Sequence, residues 1–152
     1  MTTISDLTLN FPEFAPKLQK LAGKLMIYDE VGKKYRVLTP EEWVRQHCLN
    51  YLIQELKYPM NLIKLEHSIK INQLNRRSDI TVYDRSGNLF LLVECKAPNV
   101  FLDGPVLSQV SQYQSQLKAM HWAITNGMEH HIFTYNPTSE TIEQTNFFPT
   151  YP

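Results

Sequence analysis

The sequence predicts a mixed α/β domain whose central sheet is flanked by helices. Three observations lead to this prediction: a capped helix begins at Thr39, three consecutive strands follow it, and a second helix separates them from two further strands. Consecutive strands joined by short turns usually pair as antiparallel neighbours, and helices cover the faces of such a sheet. We therefore expect a three-stranded antiparallel meander, extended by the last two strands, with helices packed against it.

The first 38 residues predict an extended arm followed by a hairpin. The segment 10–16 is expected to be extended, and residues 17–21 are expected to form one helical turn. Apolar and aromatic residues at 25–28 and 35–38 flank a turn at 31–34, as the strands of a β-hairpin do. This hairpin precedes the main α/β unit.

The clearest helix starts after Thr39. Thr39 is a favourable N-cap, Pro40 suits the first helical position, and Glu42 completes a capping box. Apolar side chains then recur at helical spacing as far as Tyr58-Pro59, which ends the segment. We expect one amphipathic helix with its apolar face against the sheet.

Three strands are predicted in the middle of the chain. Apolar and polar residues alternate over 62–71, which indicates a strand with one face in solvent. Strands over 78–84 and 89–96 follow, joined by a polar turn. These three strands form the expected meander.

The last part of the chain supplies a helix, two strands and a tail. The helix is predicted over 105–121 and the strands over 122–125 and 130–135, and the tail from Asn136 is expected to pack loosely. The chain accordingly divides into three parts within one domain. These parts are an arm and hairpin (1–38), an α/β core (39–135) and a C-terminal tail (136–152).

Composition limits the functional classes. The chain has 152 residues, of which 43% are hydrophobic and 20% charged, and its formal net charge is zero. Tight autonomous nucleic-acid binding usually shows as a basic excess, so only a local basic patch is compatible with this charge. Cys48 and Cys95 have no disulfide framework or metal-ligand spacing, and no signal peptide or membrane span is visible. We expect a cytoplasmic domain with free thiols.

Charged residues occur where the predicted hairpin 78–96 is otherwise apolar. If a short loop closes the hairpin, Tyr83 faces Phe90 and Asp79 faces Glu94. Directly opposed residues have Cβ atoms only about 5 Å apart. Lys96 follows Glu94 by two residues and shares its face, together with Phe90 further along the strand. The register therefore predicts two carboxylates and an ammonium group at one place.

Such a group of side chains suits a divalent metal ion. Adjacent carboxylates repel each other unless a positive charge lies between them, and Mg²⁺ binds through a few carboxylate oxygens while keeping several waters. Bound Mg²⁺ polarises a phosphate oxygen and activates water, and a lysine can orient that water or offset negative charge. An E-x-K tripeptide also occurs often on the solvated face of a strand. Periodicity alone leaves both interpretations open.

The motifs, taken in order, resemble a known family. The segment R-R-S-D-I-T-V-Y-D-x-x-G-N-L-F-L-L-V-E-C-K-A-P resembles the nuclease core of the PD-(D/E)xK superfamily. More narrowly, it resembles the N-terminal nuclease domain of type I restriction enzyme R (HsdR) subunits. Supporting motifs are T-P-E-E-W-V-R-Q on the first helix, Q-x-x-x-Y at Gln109 and Tyr113, and Thr125-Asn126-Gly127. The resemblance covers roughly residues 38–135, and the joint pattern is far more specific than any part.

The resemblance implies a restriction-endonuclease-like fold and a Mg²⁺-dependent DNA endonuclease, with Mn²⁺ as a substitute ion. It implies that Asp79 and Glu94 bind the metal and that Lys96 is catalytic. Gln109 and Tyr113 would line the site or contact the DNA backbone. Separate motor, specificity or methyltransferase subunits would be partners alongside DNA.

The sequence departs from this family pattern in two ways. The proline that usually precedes the first aspartate is Ser78. The chain also has no G-x-x-x-x-G-K-[ST] phosphate loop, so we expect that it does not translocate DNA itself.

Other charged residues are candidates for the site. Glu42 is a candidate third metal ligand, although its capping-box role accounts for it structurally. Glu66 is expected on the polar face of its strand, solvated or paired to Lys64 or Arg76. Arg77 is a candidate for a DNA contact, with solvation as the alternative. The full set of candidates for phosphate contacts is Arg45, Arg76 and Arg77.

Two alternative functions stay open. One is a nuclease-fold module that cleaves weakly or not at all and binds nucleic acid or a partner subunit. The zero net charge and the absent motor favour this alternative. The other is an RNA-directed or repair-type nuclease on the same core.

Overall fold

The structure is a computed structural model that describes residues 3–71 and 73–152; the side chains at 71, 74, 113 and 114 lie outside the described part. The described residues form two α-helices and nine β-strands, together with short helical turns. In chain order the helices and strands are β1 Leu18–Leu21, β2 Lys24–Asp29, β3 Lys34–Val37, α1 Pro40–Asn50, β4 Ile63–Ile71, β5 Leu74–Tyr83, β6 Leu89–Cys95, α2 Gly104–Ser115, β7 His121–Thr125, β8 His130–Asn136 and β9 Thr141–Thr145.

The central sheet has six strands in the order β4-β5-β6-β7-β8-β9. Strands β4, β5 and β6 pair antiparallel, β6 and β7 pair parallel, and the remaining neighbours pair antiparallel. A parallel pair needs a crossover connection, and α2 supplies it between β6 and β7. The predicted α/β class, with an antiparallel meander extended into a mixed sheet, is confirmed.

Alternate side chains of the central sheet enter two hydrophobic cores. On β6, Leu91 and Val93 enter a first core that also holds Val44 and Cys48 of α1. Leu92, between them, enters a second core with Trp122 and the apolar side chains of α2. Helices α1 and α2 therefore lie on opposite faces of the sheet, as the strand alternation requires.

Helix α1 begins where the sequence predicts, but the expected capping box is only half formed, because the Glu42 carboxylate accepts from Arg45 and Gln46. The Glu42 amide donates to Thr39 Oγ1 at 3.1 Å, and Pro40 occupies the first turn. Beyond Asn50 the helix continues as one wider π-helical turn, in which the Leu56 amide donates to the Tyr51 carbonyl at 3.1 Å. None of the described helices is long and apolar enough to cross a membrane.

A separate three-stranded antiparallel sheet, β1-β2-β3, precedes α1. The predicted hairpin corresponds to β2 and β3, but the helical turn predicted at 17–21 is wrong. Those residues form β1, whose partner across the turn at Ala22-Gly23 is β2. Pairing with an existing strand edge outweighs the weak helix preference of a short segment.

The second helix ends earlier than its sequence pattern suggests. It stops at Ser115, whereas the helical pattern extends to residue 121. Leu117 and Ala119 enter the second core, and Lys118 between them adopts a left-handed conformation with φ of +57°. Burial of these two side chains therefore ends the helix and leads the chain into β7.

The expectation of a loosely packed tail is also wrong. Strand β9 pairs with β8 along its length, and Phe148 is buried in the first core. Tyr58 Oη donates to the Pro149 carbonyl at 2.6 Å, and Tyr151 Oη donates to the Tyr83 carbonyl at 3.0 Å. The tail is thus an integral part of the sheet and core.

Candidate active site

The β5–β6 hairpin sets the position of the predicted site. Thr81 lies opposite Leu92 and Ile80 lies opposite Val93. One residue further along, Asp79 lies beside Glu94, and the two carboxyl groups are close enough for each to change the pKa of the other. The register inferred from the sequence is therefore correct at the acidic end of the hairpin.

At the turn end the register differs from the prediction. A β-bulge at Val82 and Tyr83 makes Tyr83 the partner of Leu89 instead of Phe90. The Asp84 carboxylate shapes this turn by accepting from the Ser86 and Asn88 amides, both at 2.9 Å. Because of the extra residue, Phe90 enters the first core and does not share the face of Glu94.

Backbone and side-chain groups fix the two carboxylates. The Cys95 amide donates to Asp79 Oδ2 at 2.7 Å, which ties β5 to β6 beside Asp79 and Glu94. We call these two residues the acidic pair. Lys96 Nζ lies 3.3 Å from Glu94 Oε1. The Glu94 and Lys96 side chains are 25% and 35% exposed, so both are partly shielded yet reachable from solvent. The structure thus brings Asp79, Glu94 and Lys96 together.

The acidic pair carries more negative charge than its surroundings offset. Burial raises the pKa of Glu94 to about 7, the Asp79 carboxylate adds to that increase, and Lys96 opposes it. Burial also raises the pKa of Asp79, against the hydrogen bond from the Cys95 amide. Two carboxyl groups this close together hold either a shared proton or a cation between them.

The donor set fits Mg²⁺. Among the described residues, no group of three or more His, Cys, Asp or Glu side chains is arranged to hold a metal ion. Mg²⁺ does not need such a cage, because it commonly binds through one or two carboxylates and retains several waters. Asp79 and Glu94 supply two hard oxygen donors at a site open to solvent.

These carboxylates border a polar cleft of about 220 Å³ between the start of α1 and strands β4 to β6. The cleft is lined by Thr39, Glu41, Glu42, Arg45, Glu66, Asp79, Glu94 and Cys95. Larger cavities, including one of about 450 Å³ between the N-terminal arm and α1, contain none of the predicted site residues. The cleft at the acidic pair is smaller than these cavities, but it is lined by the predicted residues Glu42, Asp79 and Glu94.

Glu42 lines this cleft, but its carboxylate already has partners. It accepts two hydrogen bonds from Arg45, at 2.9 and 2.6 Å, and one from Gln46 at 3.0 Å. All three side chains are buried, so the bidentate ion pair with Arg45 neutralises the Glu42 charge within the fold. The role of Glu42 as a third metal ligand stays a prediction.

The expected surroundings of Glu66 are wrong. Its carboxylate pairs with Arg77 Nη2 at 2.9 Å and with Arg36 Nη1 and Arg45 Nη1 at 3.6 Å each, instead of with Lys64 or Arg76. Burial acts to raise the pKa of Glu66, but these three arginines together hold it below its ordinary value. We call Arg36, Arg45 and Arg77 the arginine cluster.

Sequence reasoning named Arg45 and Arg77 as candidates for phosphate contacts, but it missed Arg36 and the convergence of the three arginines on Glu66. Arg45 could be expected near Glu42 because residues three apart are neighbours on a helix. Arg36 comes from the separate N-terminal sheet, where it also pairs with buried Asp29 at 2.7 Å. No local sequence signal places a residue of β3 beside a residue of β4.

The predicted Q-x-x-x-Y residues lie on α2. Gln109 is exposed there and is not among the residues that line the cleft. The Tyr113 side chain lies outside the described residues. Their proposed roles at the site or on the DNA backbone therefore stay predictions.

The Thr125-Asn126-Gly127 motif forms the turn between β7 and β8. Asn126 Oδ1 accepts from the amides of Met128 and Glu129, at 2.9 and 2.8 Å, while its Nδ2 donates to the Val100 carbonyl at 2.9 Å. The Thr125 carbonyl accepts from the Lys96 amide at 2.8 Å. The turn thus helps to hold the backbone that carries Lys96.

Comparison with known protein families shows which family this chain belongs to. Residues 40–149 match the family described as the type I restriction enzyme R protein N terminus (HSDR_N). The chain belongs to this family. The HSDR_N match contains α1, the acidic pair, Lys96 and strand β9, so it includes every residue that lines the cleft except Thr39, and most of the tail.

A solved structure supports the HSDR_N fold. It is a fragment assigned to the HsdR subunit of a type I restriction enzyme from Vibrio vulnificus YJ016, with a TM-score of 0.50 and 20% sequence identity. The similarity covers 74% of this chain and 24% of that one, so this chain spans about a quarter of its length. No curated protein matches the sequence closely enough to add a relative.

Proposed function

We propose that this domain is a Mg²⁺-dependent DNA endonuclease. The observation that carries the proposal is the proximity of the Asp79 and Glu94 carboxyl groups, with Lys96 Nζ 3.3 Å from Glu94 on the same strand face. Membership of the HSDR_N family supports a role in restriction. Translocation and sequence recognition would then come from other subunits of a restriction system.

Each side chain has a distinct task in this proposal. Asp79 and Glu94 hold Mg²⁺, which when bound polarises a phosphate oxygen and makes water a better nucleophile. The Lys96 ammonium group orients the attacking water and offsets the charge that develops on the phosphate. The water oxygen forms a bond to phosphorus and loses a proton to solvent, one P–O ester bond breaks, and the leaving oxygen takes up a proton from solvent.

Cleavage of plasmid DNA in the presence and absence of Mg²⁺ tests the proposal. We expect Asp79→Ala and Lys96→Ala each to lower the cleavage rate by at least about 100-fold, because each removes a group that acts on the reacting phosphate. Lys24→Ala is the matched control, since Lys24 is an exposed lysine on β2. Circular dichroism and thermal melting establish that the variants are folded.

The same assay separates the alternatives. If folded wild-type protein shifts DNA on a gel but does not cut it with Mg²⁺ or Mn²⁺, the domain is a binding module. If single-stranded RNA is cut and DNA is not, the enzyme is RNA-directed. Equal activity of Lys96→Ala and wild type would contradict the role of Lys96.

A further inference from the structure

Three arginines from three different elements converge on one carboxylate at the cleft. Arg36 comes from β3, Arg45 from α1 and Arg77 from β5, and each places a guanidinium nitrogen within 3.6 Å of Glu66. The Glu66 side chain is 40% exposed, whereas Arg45 is 6% exposed. Arg45 therefore lies at the buried end of the cluster, and Glu66 lies at its solvent-exposed end.

Glu66 is an additional anion for arginines that already have partners. Arg36 Nε donates to buried Asp29 at 2.7 Å, and Arg45 binds Glu42 through two hydrogen bonds. The contacts of Glu66 with Arg36 and Arg45 are 3.6 Å long, beyond ordinary hydrogen-bond distance. Both guanidinium groups thus keep donors directed at a position that a carboxylate fills incompletely.

A phosphodiester suits that position better than a carboxylate does. Planar guanidinium groups bind the oxygens of phosphate in a bidentate manner, and a phosphodiester spreads one negative charge over two oxygens of a tetrahedral centre that is larger than a carboxylate. Arg77, which is 64% exposed, can follow an incoming group more easily than buried Arg45. Buried Arg45 would therefore be a fixed contact for the phosphate, and exposed Arg77 would be an adaptable one.

The backbone at Glu66 is strained. Glu66 has φ of +51°, a left-handed value that is unfavourable for a residue with a side chain, and the β4–β5 ladder is interrupted there. Ladder pairing resumes on both sides, at Leu65 with Ile80 and at His67 with Ser78, so Glu66 lies across from Asp79. The strained position thus lies next to the proposed metal site.

We propose that the arginine cluster binds a backbone phosphate of DNA and that Glu66 occupies this phosphate position when no nucleic acid is bound. The inference rests on the proposed function and extends it, since it assigns the groups that hold the substrate backbone beside Asp79. DNA binding displaces the Glu66 side chain from the arginines. Glu66 is therefore a competitor of the substrate phosphate.

Affinity for a fluorescent DNA duplex, measured by anisotropy without divalent metal, tests this inference. Glu66→Ala is expected to tighten binding at least about fivefold and to steepen the salt dependence, because further phosphate contacts release more counterions. Glu143→Ala is the matched control, since Glu143 is an exposed carboxylate on β9. This control should change affinity less than twofold. Glu66→Gln gives a second variant that retains the side-chain size.

A second pair of variants tests which arginine binds the phosphate. In the Glu66→Ala background, Arg77→Ala should remove most of the gain, whereas Arg85→Ala should not, because Arg85 is exposed on the β5–β6 turn. Weaker or unchanged binding by folded Glu66→Ala and Glu66→Gln would overturn the inference. An equal gain in Glu143→Ala would also overturn it, since the effect would then be one of net charge.

The DNA-binding measurement and the cleavage assay can fail independently of each other. If the Glu66 variants bind DNA no better while Asp79-dependent cleavage is observed, the phosphate inference fails and the nuclease stands. If they bind better but no variant or wild type cleaves, the nuclease proposal fails and the phosphate site stands.

Discussion

Glu94 is a carboxyl group whose ionisation the fold disfavours. Burial raises its pKa to about 7, and the neighbouring Asp79 carboxylate contributes to the increase. An ionised acidic pair therefore destabilises the metal-free protein near neutral pH. At the residue scale, the ionised carboxylates repel each other, and a cation between them would relieve that repulsion.

The sign of the pH dependence follows from this pKa. Since the pKa of Glu94 is higher in the folded state than in the unfolded state, its protonated form stabilises the fold at low pH. That contribution is lost as pH rises from about 5 past 7. Between these limits, wild type is expected to lose about 2–3 kcal/mol of unfolding free energy relative to Glu94→Gln.

Urea unfolding of both proteins in EDTA at pH 5 and pH 8 measures this difference. Glutamine keeps the shape of the side chain and cannot ionise. The Glu94→Gln variant should therefore not show this loss of unfolding free energy. Adding Mg²⁺ at pH 8 should stabilise wild type and leave Glu94→Gln almost unchanged. Parallel pH dependence of the two proteins in EDTA would contradict the raised pKa of Glu94.

At the scale of elements, the β7–β8 turn anchors the N-terminal arm. The Gly127 carbonyl accepts from the Asn10 amide at 2.7 Å. Gly127 has φ of +86°, and a Cβ added there would lie 2.8 Å from Leu9 Cδ2 and 3.1 Å from Val44 Cγ2. The turn therefore needs glycine for its backbone and for the close approach of the arm and α1.

A pair of glycine substitutions separates these two requirements. Gly87 has a similar φ of +85° but open space around it, so Gly87→Ala is expected to cost about 1–2 kcal/mol from the backbone alone. Gly127→Ala should cost a further 1–3 kcal/mol or so, because the new methyl group overpacks the arm and α1. Chemical denaturation measures both values, and equal losses would contradict the packing of the arm on this turn.

Local signals in the sequence were sufficient for most elements. The capping residues at Thr39 specified the start of α1, and alternation specified β4 to β6 and hence the register that brings Asp79 to Glu94. The same register arithmetic failed at Phe90 because the Asp84 turn introduces a bulge. A bulge depends on side-chain hydrogen bonds within the turn, which hydrophobic alternation does not record.

Features that depend on strand pairing or on contacts with another part of the chain were not predicted. Strand β1 forms because β2 offers it an edge, and Arg36 reaches Glu66 because the N-terminal sheet packs beside β4. Likewise, the sequence of 141–145 did not identify β9, whose residues are mostly exposed and gain their order from pairing with β8. Strand pairing with a neighbouring strand decided β1 and β9, and a contact between residues far apart in sequence decided the position of Arg36.

At the scale of the whole molecule, the tail completes the first core. Phe148 is 8% exposed and contacts Phe11 and Tyr51, with ring centroids 6.3 and 6.0 Å apart. Its neighbour Phe147 is 80% exposed. The two adjacent phenylalanines therefore form a natural comparison of a core side chain with a surface side chain.

Truncation of these side chains tests the role of the tail. Phe148→Ala is expected to lower the unfolding free energy by about 3–5 kcal/mol, because it leaves a cavity among aromatic rings. Phe147→Ala should change it by less than about 0.5 kcal/mol. Denaturant unfolding gives both numbers, and a small loss for Phe148→Ala would mean that the tail is not part of the core.

The central claim is that Asp79 and Glu94 together hold a divalent metal ion in the folded domain. Calorimetric titration of the metal-free protein with Mn²⁺ at pH 8, above the pKa of Glu94, tests it most directly. We predict that wild type binds Mn²⁺, that Asp79→Asn weakens binding at least about 10-fold, because it removes one of two charged ligands, and that the surface control Glu143→Gln binds like wild type. Equal Mn²⁺ affinity of folded Asp79→Asn and wild type would contradict the claim.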